Sequence, residues 1–95
     1  MIVSKDIASK IAKYLLDIKA VKLQPSDPFT WASGILSPIY CDNRKILSAP
    51  SIRTSVVEEI TAVISGKFEG VDAIVGVATG GIAIGALVAD KLNLP

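Results

Sequence analysis

The 95-residue sequence contains no histidine. Within these residues that excludes imidazole acid–base catalysis and histidine-ligated metals. Its single cysteine, Cys41, cannot build an intrachain disulfide framework and suits a reducing cytoplasm. No apolar run approaches the roughly 18 residues of a membrane-spanning helix. The N-terminus carries Lys5, Asp6 and Lys10 among its apolar residues and lacks the uninterrupted apolar core of a signal peptide. Neither sign of charge dominates: ten basic residues face nine acidic ones, a net charge of +1. A basic footprint for nucleic acid is therefore missing. Internal repeats and low-complexity tracts are also missing.

What remains is strongly apolar. Hydrophobic residues make up 51% of the chain, and the mean hydropathy is +0.53. That suggests a well-buried core, or surface that a partner covers. The length suffices for one small domain.

The most informative stretch is 71–85. A β-branched apolar run, 71–77, breaks into the small residues Ala78, Thr79, Gly80 and Gly81, then resumes as a helix-like segment, 82–92. This is the pattern of a buried strand turning tightly into a helix. In a parallel α/β sheet such a turn lies at the carboxyl end of a strand, where ligands bind. Small residues let backbone N–H groups approach an anion, and the helix N-terminus adds partial positive charge. Known motifs are missed narrowly. Gly76 and Gly81 have Walker spacing, but Ile82 stands where lysine is required. Gly76, Ala78 and Gly81 approach the dinucleotide fingerprint with alanine at its second glycine. Two readings stay open: a phosphate-binding loop, or a glycine-rich turn used for close packing.

Upstream, residues 4–18 read as an amphipathic helix. Ser4 is its N-cap, and Ile7, Ile11, Tyr14, Leu15 and Ile18 lie on one face. Residues 20–28, with Pro25, Ser26, Asp27 and Pro28, read as a loop. In 29–44, extended pieces at 29–31 and 39–41 flank Ser33-Gly34 and suggest a hairpin ending in a polar cluster. It holds three of the five aromatics, so it is either a flap over a ligand or a minor hairpin with its own small core. A second helix opens at Ser48-Ala49-Pro50, buries Ile52, Val56, Ile60, Val63 and Ile64, and ends at Gly66. This inventory has one central apolar strand with nothing to pair it, and a last helix with no strand to return to. The expectation is the first part of a larger α/β domain, or one completed by another chain.

Taken together, two motifs carry a family resemblance. The stretch Phe29-Thr30-Trp31-Ala32-Ser33-Gly34, followed by Ser37-Pro38-Ile39-Tyr40-Cys41-Asp42-Asn43-Arg44, closely resembles the N-terminal hood of bacterial orotate phosphoribosyltransferases. Gly76-Val77-Ala78-Thr79-Gly80-Gly81-Ile82 and the helix after it resemble that family's pyrophosphate loop. The resemblance implies an α/β chain forming the N-terminal part of a type I phosphoribosyltransferase fold, incomplete as it stands. Residues 1–95 would then be one portion of a single domain, with a helix in 1–20, the hood in 29–44 and the start of the parallel core in 48–95. The implied reaction moves 5-phosphoribose from phosphoribosyl pyrophosphate to orotate, giving orotidine 5'-monophosphate and pyrophosphate in pyrimidine biosynthesis. Mg²⁺ is implied as a passenger on the pyrophosphate, and a cytoplasmic homodimer as the working form. Ser37, Tyr40 and Cys41 are the implied hood contacts to orotate; Thr79, Gly80 and Gly81 are the implied pyrophosphate loop. No residue of this chain is matched to a catalytic role or to a metal. The family's mobile lysine/histidine loop and acidic ribose-phosphate motif have no counterpart in these residues. Leu36, Ala32 and Gly80 stand where family members carry lysine, and Ala83-Ile84 replaces a common Pro-His or Pro-Gln. The alternative implied by those departures is a non-catalytic paralogue or interaction module on the same scaffold.

Overall fold

A computed structural model describes residues 3–95 of the chain. Helix α1 spans Lys5–Asp17. The Ser4 hydroxyl caps it by accepting the Ile7 N–H at 3.4 Å, as the sequence predicts. None of its residues is fully buried; the apolar face of Ile7, Ile11, Tyr14, Leu15 and Ile18 is half-covered. The Lys10 ammonium donates to Glu59 Oε1 at 2.6 Å and ties α1 to the next long helix.

Four short strands follow: β1 Val21–Leu23, β2 Phe29–Thr30, β3 Leu36–Ser37 and β4 Ile39–Cys41. Two corrections to the predicted hairpin arise here. Strand β2 pairs antiparallel with β3, Phe29 opposite Ser37. Strand β4 turns away and pairs with β1, Val21 opposite Cys41. The predicted loop at 20–28 therefore begins with a strand. The physical reason is the turn at Ser37-Pro38: Pro38 has no N–H to extend a ladder, and the Ser37 hydroxyl accepts the Ile39 N–H at 3.2 Å. Pro38 O instead accepts from Gln24 N–H at 2.7 Å, and Ala20 O from Asp42 N–H at 2.7 Å, so bonds at both ends extend the β1–β4 ladder. Gly34 makes the β2–β3 turn at φ +87°, a region that side chains rarely adopt.

A 3₁₀ segment, Asn43–Ser48, leads into α2, Pro50–Lys67. Pro50 sits in the first turn of α2, where its missing N–H costs nothing. Gly66 does not end α2; the helix runs to Lys67 and closes at Phe68, whose N–H donates to Ile64 O at 3.0 Å. Val56 and Val57 are its buried residues. Ile52, Ile60, Val63 and Ile64 of the predicted stripe are only half-buried.

The buried strand expected at 71–77 is not formed: the stretch has no regular secondary structure and joins no sheet, because a central apolar strand needs neighbours that these residues do not supply. Ile74 donates its N–H to Pro95 O at 2.9 Å, and Val77 O accepts the Gly81 N–H at 2.8 Å. Val75 and Val77 are 85% and 76% exposed. Helix α3, Ile82–Leu92, then packs on α2 and ends with Asn93 in the left-handed region. The chain thus leaves 71–77, crosses over through a helix, and returns beside Ile74 at Pro95, which is how a βαβ unit begins. Among the described residues the buried apolar ones are few: Ala20, Ile46, Val56, Val57 and Val88. A radius of gyration of 15.1 Å exceeds the roughly 12 Å of a compact domain of this length. Much of the apolar surface implied by the composition is uncovered.

Candidate functional site

Four parts of the chain converge on one cleft of about 1110 Å³. Its apolar walls come from Ile7, Ile11 and Leu15 of α1 and from Val56, Ile60 and Val63 of α2. Its polar end is built by 40–44, which follow from β4 into the 3₁₀ segment, and by Thr79, Gly80 and Gly81 ahead of α3.

The loop is positioned by backbone-to-backbone contact. A Cβ on Gly76 would lie 2.5 Å from Gly81 O; one on Gly81 would lie 2.8 Å from Val77 O; one on Gly85 would lie 2.9 Å from Gly76 Cα. No side chain fits at any of the three without a shift of backbone. Gly81 also commits its N–H to Val77 O at 2.8 Å. Gly80 differs: a Cβ there would meet only Arg44 Cγ, at 3.9 Å. The N–H groups of Thr79 and Gly80 make no hydrogen bond to a protein acceptor among the described residues. The two open readings of the loop thus describe different residues. Gly76, Gly81 and Gly85 serve close packing, whereas Thr79 and Gly80 expose backbone donors at a helix N-terminus, the arrangement that suits an anion. The peptide between Ala78 and Thr79 is cis.

Opposite the loop, the hood is internally satisfied. The Trp31 indole N–H donates to Ile39 O at 3.0 Å. The Phe29 and Tyr40 rings are tilted 41° with centroids 5.7 Å apart, an attractive arrangement for aromatic quadrupoles. The Cys41 thiol donates to Asn43 Oδ1 at 3.1 Å. Tyr40 and Cys41 also line a smaller hollow with Trp31 and Ala32. Of the six residues that the resemblance marks, Tyr40, Cys41, Thr79, Gly80 and Gly81 meet in the large cleft. Ser37 is 7% exposed, does not line the cleft, and serves the turn before β4.

Sequence reasoning did not single out Asp42 and Arg44. Asp42 caps the 3₁₀ segment, its Oδ1 accepting Arg44 N–H at 3.2 Å. It also grips the Arg44 guanidinium by both oxygens: Nε to Oδ1 at 2.8 Å and Nη2 to Oδ2 at 3.0 Å. The hydrogen bonds from Arg44 hold the Asp42 carboxyl below its ordinary 3.8, and the same side-chain bond raises Arg44. The polar cluster closing the hood was the available signal, but its proximity to Gly80 is a tertiary fact.

No protein-family model matches the chain. In fold, it is similar to 90–97% of its own length with two solved structures. One is an orotate phosphoribosyltransferase from Aeropyrum pernix, with 30% identity and a TM-score of 0.73; this chain covers 49% of it. The other is the UMP synthase of Leishmania donovani, with 28% identity and a TM-score of 0.76; this chain covers 19% of it. The architecture is that of the N-terminal part of a type I phosphoribosyltransferase fold, helical and stranded as expected and incomplete in these residues. In sequence, the chain is 63% identical over 91 residues to the orotate phosphoribosyltransferase of Bacteroides thetaiotaomicron, a match that takes in 96% of this chain and 43% of that protein. The particular likeness is therefore to the N-terminal part of orotate phosphoribosyltransferases. The chain spans less than half the length of the curated relatives it matches.

Proposed function

We propose that this chain supplies the hood and the pyrophosphate loop of an orotate phosphoribosyltransferase, the remainder of the site coming from sequence outside these residues. One observation carries the reading: Tyr40 and Cys41 share a cleft with Thr79 and Gly80, so the two regions that resemble the family also face each other. The substrates are orotate and phosphoribosyl pyrophosphate. Breaking the anomeric C–O bond of phosphoribosyl pyrophosphate develops positive charge on the ribose and releases pyrophosphate, while a ring nitrogen of orotate forms the new C–N bond to the same carbon. Positioning and electrostatics therefore carry most of the chemistry, and a chain without histidine can contribute to it. The N–H groups of Thr79 and Gly80, with the N-terminus of α3, bind the pyrophosphate and favour its departure. The hood, with Tyr40 at its edge, covers the flat orotate ring and limits water.

Among the described residues no cluster of three or more His, Cys, Asp or Glu side chains is placed to hold a metal. Mg²⁺ enters as part of the substrate, bound to its pyrophosphate. The working form is a cytoplasmic homodimer. No helix among the described residues is long and apolar enough to cross a membrane.

The test is made on the whole protein that carries this chain. Loss of orotate absorbance, dependent on both phosphoribosyl pyrophosphate and Mg²⁺ and matched by release of pyrophosphate, is the expected result. Binding of both substrates without turnover would favour the non-catalytic scaffold.

A further inference from the structure

We infer that Arg44 is a substrate-contacting residue of the proposed pyrophosphate site, and that Asp42 is the positioning residue that aims it; the inference rests on the phosphoribosyl-transfer reading given above. The loop itself carries no charged side chain: Ala78, Thr79, Gly80 and Gly81 are all neutral. The arginine lies across the cleft's polar end, with its Cγ 3.9 Å from where a Gly80 Cβ would stand. Arg44 and Gly80 line the same cleft. An uncharged anion loop facing a cation is complementary, and the missing side chain at Gly80 is what lets the arginine stem come close.

The guanidinium geometry specifies the kind of ligand. Asp42 takes the Nε–H and one Nη2–H. Of the five N–H donors of an arginine, three remain, and two of them, one on each Nη, point along the end of the fork. That edge suits two oxygens of one phosphoryl group in a bidentate contact. The carboxylate does not use up the site; it fixes the plane of the fork. The Arg44 side chain is 63% exposed against 21% for Asp42, so the arginine is the member of the pair that a ligand can reach. A lysine in its place would keep the charge and lose both the paired grip and the fork.

The test uses the whole protein that carries this chain, titrated by calorimetry with inorganic pyrophosphate in the presence of Mg²⁺. Orotidine 5'-monophosphate, which has no pyrophosphate, is the control ligand, and thermal melting checks the fold. Arg44→Met is expected to weaken pyrophosphate binding at least tenfold and to leave orotidine monophosphate binding and melting unchanged, with Arg44→Lys recovering only part of the loss. Asp42→Asn is expected to weaken pyrophosphate binding less than Arg44→Met. Equal pyrophosphate affinity in wild type and Arg44→Met overturns the assignment of Arg44 alone. Parallel loss of both ligands overturns it too, since a collapsed hood would explain that. A wild-type protein that binds orotidine monophosphate but no pyrophosphate overturns the assignment through the loop. A wild-type protein that binds neither removes the phosphoribosyl-transfer reading and this inference with it.

Discussion

The hood and the segment 71–77 both carry strand-forming sequence, yet they end in opposite states. At the hood, β2 pairs with β3 inside it and β4 pairs with β1 just ahead of it, within about twenty residues of chain. In 71–77, two valines stand 85% and 76% exposed and one N–H reaches Pro95. The difference is one of topology. Antiparallel partners can be supplied by a short turn, whereas a parallel strand waits for a crossover and then for neighbours on both sides. The hood can therefore take its shape from local sequence, and the core segment cannot.

The largest effect that would break this contrast concerns the 95 residues by themselves. They are expected to show no loss of orotate absorbance with phosphoribosyl pyrophosphate and Mg²⁺, and to self-associate in light scattering, because unpaired edges and bare apolar faces invite association. A soluble monomer that consumes orotate would contradict the contrast outright. Next in size are the packing glycines. Gly76→Val or Gly81→Val, made in the whole protein, should lower unfolding stability by about 3 kcal/mol through overpacking against backbone. Gly80→Ala should stay within about 0.5 kcal/mol, as for an open surface position. Denaturant unfolding of the three variants separates the two kinds of glycine.

Smaller effects come from the ion pairs. The Asp42 carboxyl lies below its ordinary 3.8, chiefly because of its hydrogen bond from Arg44. Its contribution to the hood is complete above that value and is lost as pH falls through the lowered pKa. Lys10 is raised above 10.5, chiefly by its bond to Glu59. Its contribution is complete below 10.5 and is lost as pH rises through the raised pKa. Melting followed against pH should show an acid step absent in Asp42→Asn and an alkaline step absent in Glu59→Gln. Smallest is Leu36→Lys. Leu36 is 68% exposed and lies outside the cleft lining. A lysine there should improve phosphoribosyl pyrophosphate binding by only about 0.2–1 kcal/mol, the range of an exposed charge pair. Comparing Michaelis constants for the two proteins tests it, and equal constants would show that the position has no role.

The helices were readable because their signals are local. Ser4, Pro50 and the spacing of apolar residues in 4–18 act within a few turns. Strand β1 escaped because three residues, one of them Lys22, give too short an alternation to stand out beside Pro25 and Pro28. Its partner lies about twenty residues on, farther than a pattern read over a few residues reaches. The second hood contact failed in the same way: Ile39–Cys41 looks like the return strand for Phe29–Thr30, but the turn at Pro38 redirects it. At the site, small residues marked the loop. Asp42 and Arg44 stayed hidden because Asp-x-Arg before a helical turn also describes an ordinary cap with a solvated charge.

The contact of Gly76 with Gly81 and Gly85 has one more consequence. It fixes where α3 starts by the distance between two backbones, with no side chain in between. The residues enclosed by that clamp, Ala78, Thr79 and Gly80, can then change identity without shifting the helix behind them. A saturation library over 76–85 should accordingly fall into two classes: clamp positions that accept glycine alone, and an interior where sequence drift retunes the anion held there while the frame stays put.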